Sequence, residues 1–389
     1  MGYRSIITAL SASALVLAGC GGSSLGQSGG GQSGGEVKIG LLVPLSGVYA
    51  PLGEDMRNGF KLYLDQHGGK LGGRTIKLVT ADEGAGPQTG VPAAQKLVTQ
   101  DQAAAVVGVV NSATALGLRD FFHESKRPLL VANAGADDIT GARKSDYVWR
   151  TSFANGKVGA ALGPAVAEDA KGGVYLIAAD YAAGREMVGG FRKTFEAAGG
   201  KVAGEKYTPF GKTQDYQPYL SAIRASGAKA VYTFYAGAEA VSFVKQYKQF
   251  GLAGETPLYG TGFLTEGGVL DAQGEAAVGV KTSLHYSTEL DTPRNKEFVA
   301  AYRKAFNEPP TVYAVQAHDA AAVLDKALAK APGAEGDALV KALGGVGPID
   351  SPRGQWSFDA DHDAQQKYYL REVRSKDGTV VNAVIRELK

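Results

Sequence analysis

The chain has 389 residues, of which 44% are hydrophobic and 21% are charged, and it contains one cysteine. These proportions are ordinary for a globular protein, and the length predicts two lobes rather than a single core. A formal net charge of +2 gives no electrostatic reason to expect a nucleic acid or an acidic partner. A single cysteine also excludes an intrachain disulfide.

The first segment has the features of a secretory signal. Arg4 precedes an apolar run over residues 6–17, and small residues lead to Cys20. The run is too short for a convincing membrane span. Leu-Ala-Gly-Cys resembles the bacterial lipoprotein signal, in which the cysteine is lipidated and becomes the mature N-terminus; a plain signal peptide with an incidental cysteine is the alternative. We expect a signal peptide over residues 1–19 and a flexible, Gly/Ser-rich tether over residues 20–35.

The globular part begins near residue 36 with a strand, a loop and a helix. Residues 37–44 form a short aliphatic run, which is typical of a buried strand. The apolar spacing then becomes helical, with Met56 and Phe60 on one face. Ligands bind beyond the carboxyl ends of the strands in open α/β sheets. Residues 44–53 are therefore a candidate binding loop, and Tyr49 is its most useful side chain.

The alternation of strands and helices continues along the chain. In the first series we expect strands over 75–81, 103–110, 128–132 and 147–152 and helices over 91–100 and 115–124. In the second series we expect strands over 173–178, 201–207, 230–235, 257–260 and 279–283 and helices over 156–169, 185–198, 216–225 and 238–250. Helices over 295–306, 314–331 and 337–343 follow, and the chain ends in a hairpin of 367–374 and 379–387. Repeated β–α–β units predict an α/β protein with parallel sheets covered by helices on both faces. The two successive series predict two doubly wound lobes.

No catalytic or metal-binding pattern stands out. The five histidines are not in metal-type spacing, and neither a nucleophile elbow nor a phosphate-binding P-loop is present. Residues 359–363 begin like a calcium loop, but Ala364 and Leu370 stand where that loop needs Gly and Glu, so we expect a polar turn. His318-Asp319 is expected to be a hydrogen-bonded core pair. We therefore expect no enzyme activity, no cofactor and no metal.

Segments distributed over the whole mature chain resemble the substrate-binding lipoproteins of branched-chain amino acid ABC importers, which are type I periplasmic binding proteins. The matching segments are IGLLVPLSGVYAPLGEDMRNGFKL (39–62), VVGVVNSATAL (106–116), PLLVANAGADDIT (128–140), RTSFANG (150–156), YTFYAGAEAVSFVKQ (232–246), TPLYGTGFL (256–264), FVAAYRKAFNEPPTVYAVQAHDAA (298–321) and DSPRGQWSFDADHD (350–363).

The resemblance implies two lobes joined by three crossing strands, with the ligand in the cleft. The crossings are expected near Phe153, residues 285–286 and residues 352–355. Lobe 1 then comprises 36–153 and 286–351, and lobe 2 comprises 154–285 and 352–389. Such proteins close by a hinge around a small carboxylate ligand and deliver it to permease subunits. The resemblance implies a monomer held at the membrane by its lipid anchor; a ligand-sensing module of the same fold is the alternative.

The resemblance also implies how the ligand carboxylate is held. The donors in this family are a serine hydroxyl and backbone N–H groups near helix N-termini, which here match Ser112 and Ala134. Ser112 is equally suited to cap a helix. Asn111 and Asn133 either donate further bonds or stabilise turns. Gly135 stands where a threonine is often found.

Several positions depart from the amino-acid binders of the family. The acid that meets the ligand ammonium in those proteins is replaced by Gly262, and a buried ammonium without a counter-charge is costly. Unless Glu239 or Glu266 reaches the site, a carboxylate ligand without an ammonium is favoured. The aromatic side chains Tyr49, Tyr181, Tyr235 and Phe263 are candidates to enclose a flat apolar body. The sequence therefore leaves two ligand classes open, branched-chain amino acids and aromatic acids.

Overall fold

A computed structural model describes residues 36–334 and 336–388. The predicted signal peptide, Cys20 and the tether lie outside the described residues. The strands are β1 (Val37–Val43), β2 (Lys70–Leu71), β3 (Arg74–Asp82), β4 (Ala105–Gly108), β5 (Leu129–Val131), β6 (Val148–Arg150), β7 (Gly173–Asp180), β8 (Lys201–Pro209), β9 (Ala230–Phe234), β10 (Leu258–Thr261), β11 (Lys281–Leu284), β12 (Ser357–Phe358), β13 (Ala364–Gln365), β14 (Tyr368–Lys376) and β15 (Thr379–Leu388).

The helices connect these strands. They are α1 (Ala50–Gln66), α2 (Pro87–Thr99), α3 (Ser112–Ser125), α4 (Asn155–Asp169), α5 (Ala182–Ala197), α6 (Gln217–Ser226), α7 (Gly237–Gln249), α8 (Gly268–Gln273), α9 (Pro293–Phe306), α10 (Val312–Lys330) and α11 (Gly336–Leu343). Within the described ranges, no helix combines the length and the apolar character that a membrane crossing needs.

The first sheet has six strands in the order β2-β3-β1-β4-β5-β6. All of its pairs are parallel except β2–β3. The strand order reverses between β1 and β4, which is the topological switch point of a doubly wound sheet. The long helix α10 lies against α1 and is buried along most of its length, because its alanines allow close packing.

The second sheet has seven strands in the order β15-β14-β11-β10-β9-β7-β8. The five strands β7–β11 are mutually parallel, and the antiparallel hairpin β14–β15 adds to the edge of β11. The hairpin was predicted from the Asp377-Gly378 turn. The switch point of this sheet lies between β7 and β9.

The predicted first and third crossings lie side by side. Arg353 is fully buried, and its guanidinium donates to the carbonyl oxygens of Thr151 (2.5 Å) and Ser152 (3.2 Å). Arg353 Nε also lies 2.8 Å from Asp319 Oδ2. His318 and Asp319 are both buried, as predicted, but the predicted hydrogen bond is wrong: His318 Nδ1 lies 4.0 Å from Asp319 Oδ1, and Asp319 Oδ2 faces the buried arginine.

Residues 359–363 form a polar turn, as predicted. One oxygen of Asp359 accepts the backbone N–H groups of Asp361 and Asp363, each at 2.9 Å. Asp363 in turn forms a buried ion pair with Arg150 at the end of β6. The carboxylates of this turn therefore hold the fold together, and among the described residues no group of three His, Cys, Asp or Glu side chains is arranged to hold a metal ion.

Candidate functional site

A cavity lies where the carboxyl ends of both sheets meet, at their switch points. Its walls come from the segments after β1, β4, β5 and β6 of the first sheet, the segments after β7, β9 and β10 of the second, and the start of α10. The lining residues are Tyr49, Leu52, Val110, Ser112, Asn133, Gly135, Phe153, Asn155, Tyr181, Ala183, Met187, Phe234, Ala236, Phe263 and Tyr313. None of these side chains carries a charge.

The loop between β4 and α3 is held in an unusual backbone conformation. Gly108 has φ of 144°, and a Cβ there would lie 1.9 Å from the Leu42 carbonyl oxygen. Val109 has φ of 57°, which is strained for a β-branched residue. Its N–H donates to Leu42 O at 3.0 Å and its carbonyl accepts from Ala134, so contacts on both sides impose this conformation. The result places Ser112 at the cavity.

A buried carboxyl group supports the same loop from behind. The two oxygens of Glu83 accept the backbone N–H groups of Val110 (2.7 Å) and Asn111 (2.9 Å). Glu83 is fully buried, and burial raises its pKa to about 8. Because Glu83 occupies these two N–H groups, they are not free to bind a ligand.

The polar end of the cavity is formed around Ser112, the first residue of α3. The side chain of Asn111 caps this helix by accepting the N–H groups of Ala113 and Thr114, so Asn111 is a capping residue and does not line the cavity. The Ser112 N–H is left without an intrahelical acceptor. Its Oγ lies 3.4 Å from Asn155 Nδ2 and has its hydroxyl proton available.

In the loop after β5, the predicted ligand donor, the Ala134 N–H, is not available. The N–H of Ala134 donates to Val109 O at 2.9 Å and is therefore occupied within the protein. Gly135 lines the cavity, and no hydrogen bond among the described residues occupies its N–H. A Cβ at Gly135 would lie 2.2 Å from Asn155 Oδ1, so a larger residue here would displace Asn155.

Two asparagine side chains line the cavity and are fixed by neighbours. Asn133 donates to Gln316 Oε1 on α10 at 2.7 Å. Asn155, at the start of α4, donates to Glu186 Oε2 at 2.8 Å. Sequence reasoning identified Asn133 but missed Asn155, although it stands in the quoted segment RTSFANG, where a polar residue opens a helix.

Aromatic rings form most of the remaining wall. The hydroxyl oxygens of Tyr49 and Tyr181 lie 2.9 Å apart and connect the loop after β1 to the loop after β7. The ring centroids of Phe153 and Phe263 are 4.7 Å apart, and that of Tyr313 is 6.1 Å from Phe263. Phe234 completes the wall. Phe153, Phe234 and Tyr313 were not among the predicted site residues.

Tyr235 lies outside the cavity, although it was predicted to be a ligand contact. Its hydroxyl oxygen is 3.1 Å from Thr208 Oγ1, and its ring packs against Phe243. Successive side chains of a strand point to opposite faces of the sheet. Phe234 therefore faces the cavity, and Tyr235 faces the core beneath α7.

Among the described residues, no acidic side chain lines the cavity in place of the one that Gly262 replaces. Gly262 does not line the cavity, and a Cβ there would lie 2.4 Å from Arg371 Nη2. Arg371 donates to Glu266 Oε2 at 2.9 Å, so Glu266 belongs to a buried ion pair. Glu239 accepts the N–H of Gly211 at 2.9 Å, and burial raises its pKa to about 6.

Six helices begin at the cavity wall, which gives it a positive electrostatic character. The first residue of each helix is, or directly adjoins, a lining residue; the helices are α1, α3, α4, α5, α7 and α10. Helix N-termini carry unpaired N–H groups and partial positive charge. An anion is therefore favoured in this cavity without any cationic side chain, and an ammonium group is disfavoured.

Residues 36–379 match the family model described as periplasmic binding protein. The chain belongs to the periplasmic binding protein family. It is 32% identical over 358 residues to Leu/Ile/Val-binding protein homolog 6 of Brucella melitensis, covering 90% of each chain.

Two solved structures extend the comparison for this periplasmic binding protein. A solute-binding protein of an R. palustris ABC transporter, in complex with benzoate, is 38% identical with a TM-score of 0.83, over 91% of this chain and 97% of the other. A solute-binding protein from Rhodopseudomonas palustris BisB5, in complex with 3,4-dihydroxybenzoic acid, is 30% identical with a TM-score of 0.85 and the same coverage. The predicted type I fold and family are confirmed. The protein is an extracytoplasmic solute-binding component and not an enzyme.

Proposed function

We propose that this periplasmic binding protein is the lipid-anchored component of an ABC importer and that it captures a small aromatic carboxylate. The lobes, with the boundaries given above, close around the ligand as a monomer and deliver it to the permease. The observation that carries the ligand proposal is the composition of the cavity wall: six aromatic rings and no charged side chain.

A carboxylate fits the end of the cavity around Ser112. The Ser112 hydroxyl and N–H, together with the Gly135 N–H, are donors that the described residues leave unused. The N-termini of α3 and α4 add positive potential at the same place. Ser112 is 2% exposed, so a charge-assisted hydrogen bond here is protected from water and is worth roughly 1.5–3 kcal/mol.

An amino acid fits less well because its ammonium group finds no counter-charge. Glu266 is neutralised by Arg371, and Glu239 is occupied by Gly211 outside the cavity wall. Desolvating an unpaired ammonium costs several kcal/mol. The two R. palustris relatives, solved with benzoate and with 3,4-dihydroxybenzoic acid, support the aromatic class.

The test is a ligand screen on residues 36–389. Thermal unfolding is measured with benzoate and hydroxybenzoates and, separately, with leucine, isoleucine and valine. Ligand at 100 times its Kd stabilises the folded protein by about 2.7 kcal/mol. We expect a shift with the aromatic acids and none with the amino acids.

The matched variants locate the binding site. Ser112→Ala should weaken aromatic acid binding about tenfold or more, whereas Ser221→Ala, on the exposed face of α6, should leave it unchanged. Tight binding of leucine or valine without aromatic acid binding would contradict the proposal. If the protein binds the acid but cells that lack the protein take up the acid at an unchanged rate, the ligand-sensing alternative would be favoured.

A further inference from the structure

Tyr313 has a buried hydroxyl group without a hydrogen-bond partner among the described residues. It lies in the first turn of α10, is 1% exposed and lines the cavity. A buried hydroxyl without a partner costs about 1–3 kcal/mol, and native proteins contain few of them. A group that the protein does not supply would satisfy this hydroxyl.

Tyr49 and Tyr181 contribute a second unused proton to the same cavity. Their hydroxyl groups form one hydrogen bond with each other, which uses one of their two protons. The described residues provide no acceptor for the other proton. Burial raises the pKa of all three phenols well above the usual range, so each remains protonated at neutral pH.

Ser112 and the three tyrosines line the same cavity, and a series of contacts connects Ser112 to Tyr313. Ser112 contacts Asn155, which lies beside Phe153. From Phe153 the ring contacts continue through Phe263 to Tyr313, with centroid separations of 4.7 and 6.1 Å. An aromatic acid whose carboxylate is held at Ser112 would place its ring against these aromatic side chains, in the cavity that the tyrosines also line.

We propose that the hydroxyl of Tyr313, together with the Tyr49–Tyr181 pair, recognises an oxygen substituent on the ring of the aromatic acid. The preferred ligand is then a hydroxybenzoate-type acid rather than unsubstituted benzoate. This inference rests on the proposed function and adds a second polar contact to it. The oxygen of a ring hydroxyl can accept hydrogen bonds from the two free O–H groups, which an apolar ring edge cannot do.

The experiment compares four probes by calorimetric titration: benzoate, 3-hydroxybenzoate, 4-hydroxybenzoate and 4-methylbenzoate. The methyl compound matches the size of the hydroxyl compound without its hydrogen-bonding capacity. Each probe is titrated into the wild-type protein, Tyr313→Phe and Tyr216→Phe. Tyr216 is the matched control, because its hydroxyl is also buried without a partner but lies outside the cavity wall.

We expect the wild-type protein to bind at least one hydroxybenzoate about tenfold more tightly than benzoate and 4-methylbenzoate. Tyr313→Phe should weaken binding of the preferred hydroxybenzoate about tenfold more than it weakens binding of benzoate, and Tyr216→Phe should preserve the wild-type preference. Equal affinity for all four probes would overturn the inference and leave the proposed function intact. Failure of every aromatic acid to bind would overturn both.

A second measurement separates a ligand contact from a structural role. Without ligand, Tyr313→Phe should unfold at the same temperature as the wild-type protein or higher, because the variant removes an unsatisfied polar group. A marked loss of stability would show that the hydroxyl has a partner within the protein and would overturn the inference.

Discussion

Asn155 Nδ2 and Glu186 Oε2 lie 2.8 Å apart, and the same carboxylate oxygen accepts the N–H of Asp137 at 3.1 Å. Glu186 is on α5, whereas Asp137 follows β5 of the first sheet. One carboxylate therefore fixes a cavity side chain and also connects elements on the two sides of the cavity.

Replacing Glu186 by Ala should weaken ligand binding several-fold. The variant leaves the Asn155 amide and the Asp137 N–H without their acceptor, so Asn155 loses its fixed orientation and α5 loses its contact with the segment after β5. Isothermal titration with an aromatic acid measures the effect. Glu196→Ala, an exposed position on the same helix, is the control and should bind normally. Equal affinity of both variants would argue against a positioning role for Glu186.

The buried Glu83 should make the stability of the fold depend on pH. Its pKa is about 8 in the folded protein against 4.5 as the ordinary value, so the folded state retains a proton that the unfolded state releases. The stabilising contribution is complete below pH 4.5 and is lost as the pH rises toward 8, by about 1.4 kcal/mol per pH unit.

Denaturant unfolding of the wild-type protein and Glu83→Gln between pH 5 and pH 8 isolates this effect. Other raised carboxyl groups, such as Asp55, contribute equally to both proteins. The difference between the two proteins in the slope of the unfolding free energy against pH is therefore due to Glu83. We expect the unfolding free energy of Glu83→Gln to depend less on pH. The exposed Glu54→Gln should follow the wild-type slope. Parallel curves for all three proteins would show that Glu83 titrates normally.

Gly262→Ala should destabilise the protein by about 1–3 kcal/mol. The new Cβ would lie 2.4 Å from Arg371 Nη2 and 2.5 Å from Leu284 Cβ, so the buried Arg371–Glu266 pair would have to shift. Chemical denaturation provides the measurement. Gly268→Ala is the control, since nothing lies within 4 Å of a Cβ there, and it should change stability by less than about 0.5 kcal/mol. A neutral Gly262→Ala would mean that this region is loosely packed.

Cys20→Ser should release the protein from the membrane fraction of the producing bacterium. The lipoprotein signal predicts that Cys20 carries the lipid, and serine cannot form the thioether. Metabolic labelling with a fatty acid analogue, followed by fractionation, tests this prediction. The mature protein should bind its ligand with the same affinity whether residue 20 is cysteine or serine. Continued membrane association of the unlabelled variant would point to a different anchor.

The fold was largely accessible from the sequence because buried parallel strands are continuous apolar runs. The run AAAVVGVV contains β4, and the change to helical spacing after residue 44 marks α1. The ends were less accurate: the predicted strand over 103–110 was too long. Its last residues, Val109 and Val110, leave the sheet because their backbone N–H groups donate to Leu42 O and to Glu83 Oε2.

The site was only partly accessible, because its geometry depends on contacts between distant segments. The strand-end rule identified Tyr49, the family resemblance identified Ser112, and Phe263 was a candidate because of its aromatic ring; all three line the cavity. Tyr235 was chosen instead of Phe234 because the sequence does not show which face of β9 meets the cavity. Tyr313 was missed because it lies in an apolar helix, where an aromatic residue is typical of the core.

The second sheet is interrupted along the chain, which constrains how the protein can be made. The strand β11 ends at Leu284, yet its neighbour β14 begins at Tyr368, and the intervening α10 packs against α1. A nascent chain that has emerged only as far as β11 presents an unpaired strand edge, which is prone to pair with other chains. Productive folding must therefore wait until synthesis and export have delivered the terminal hairpin.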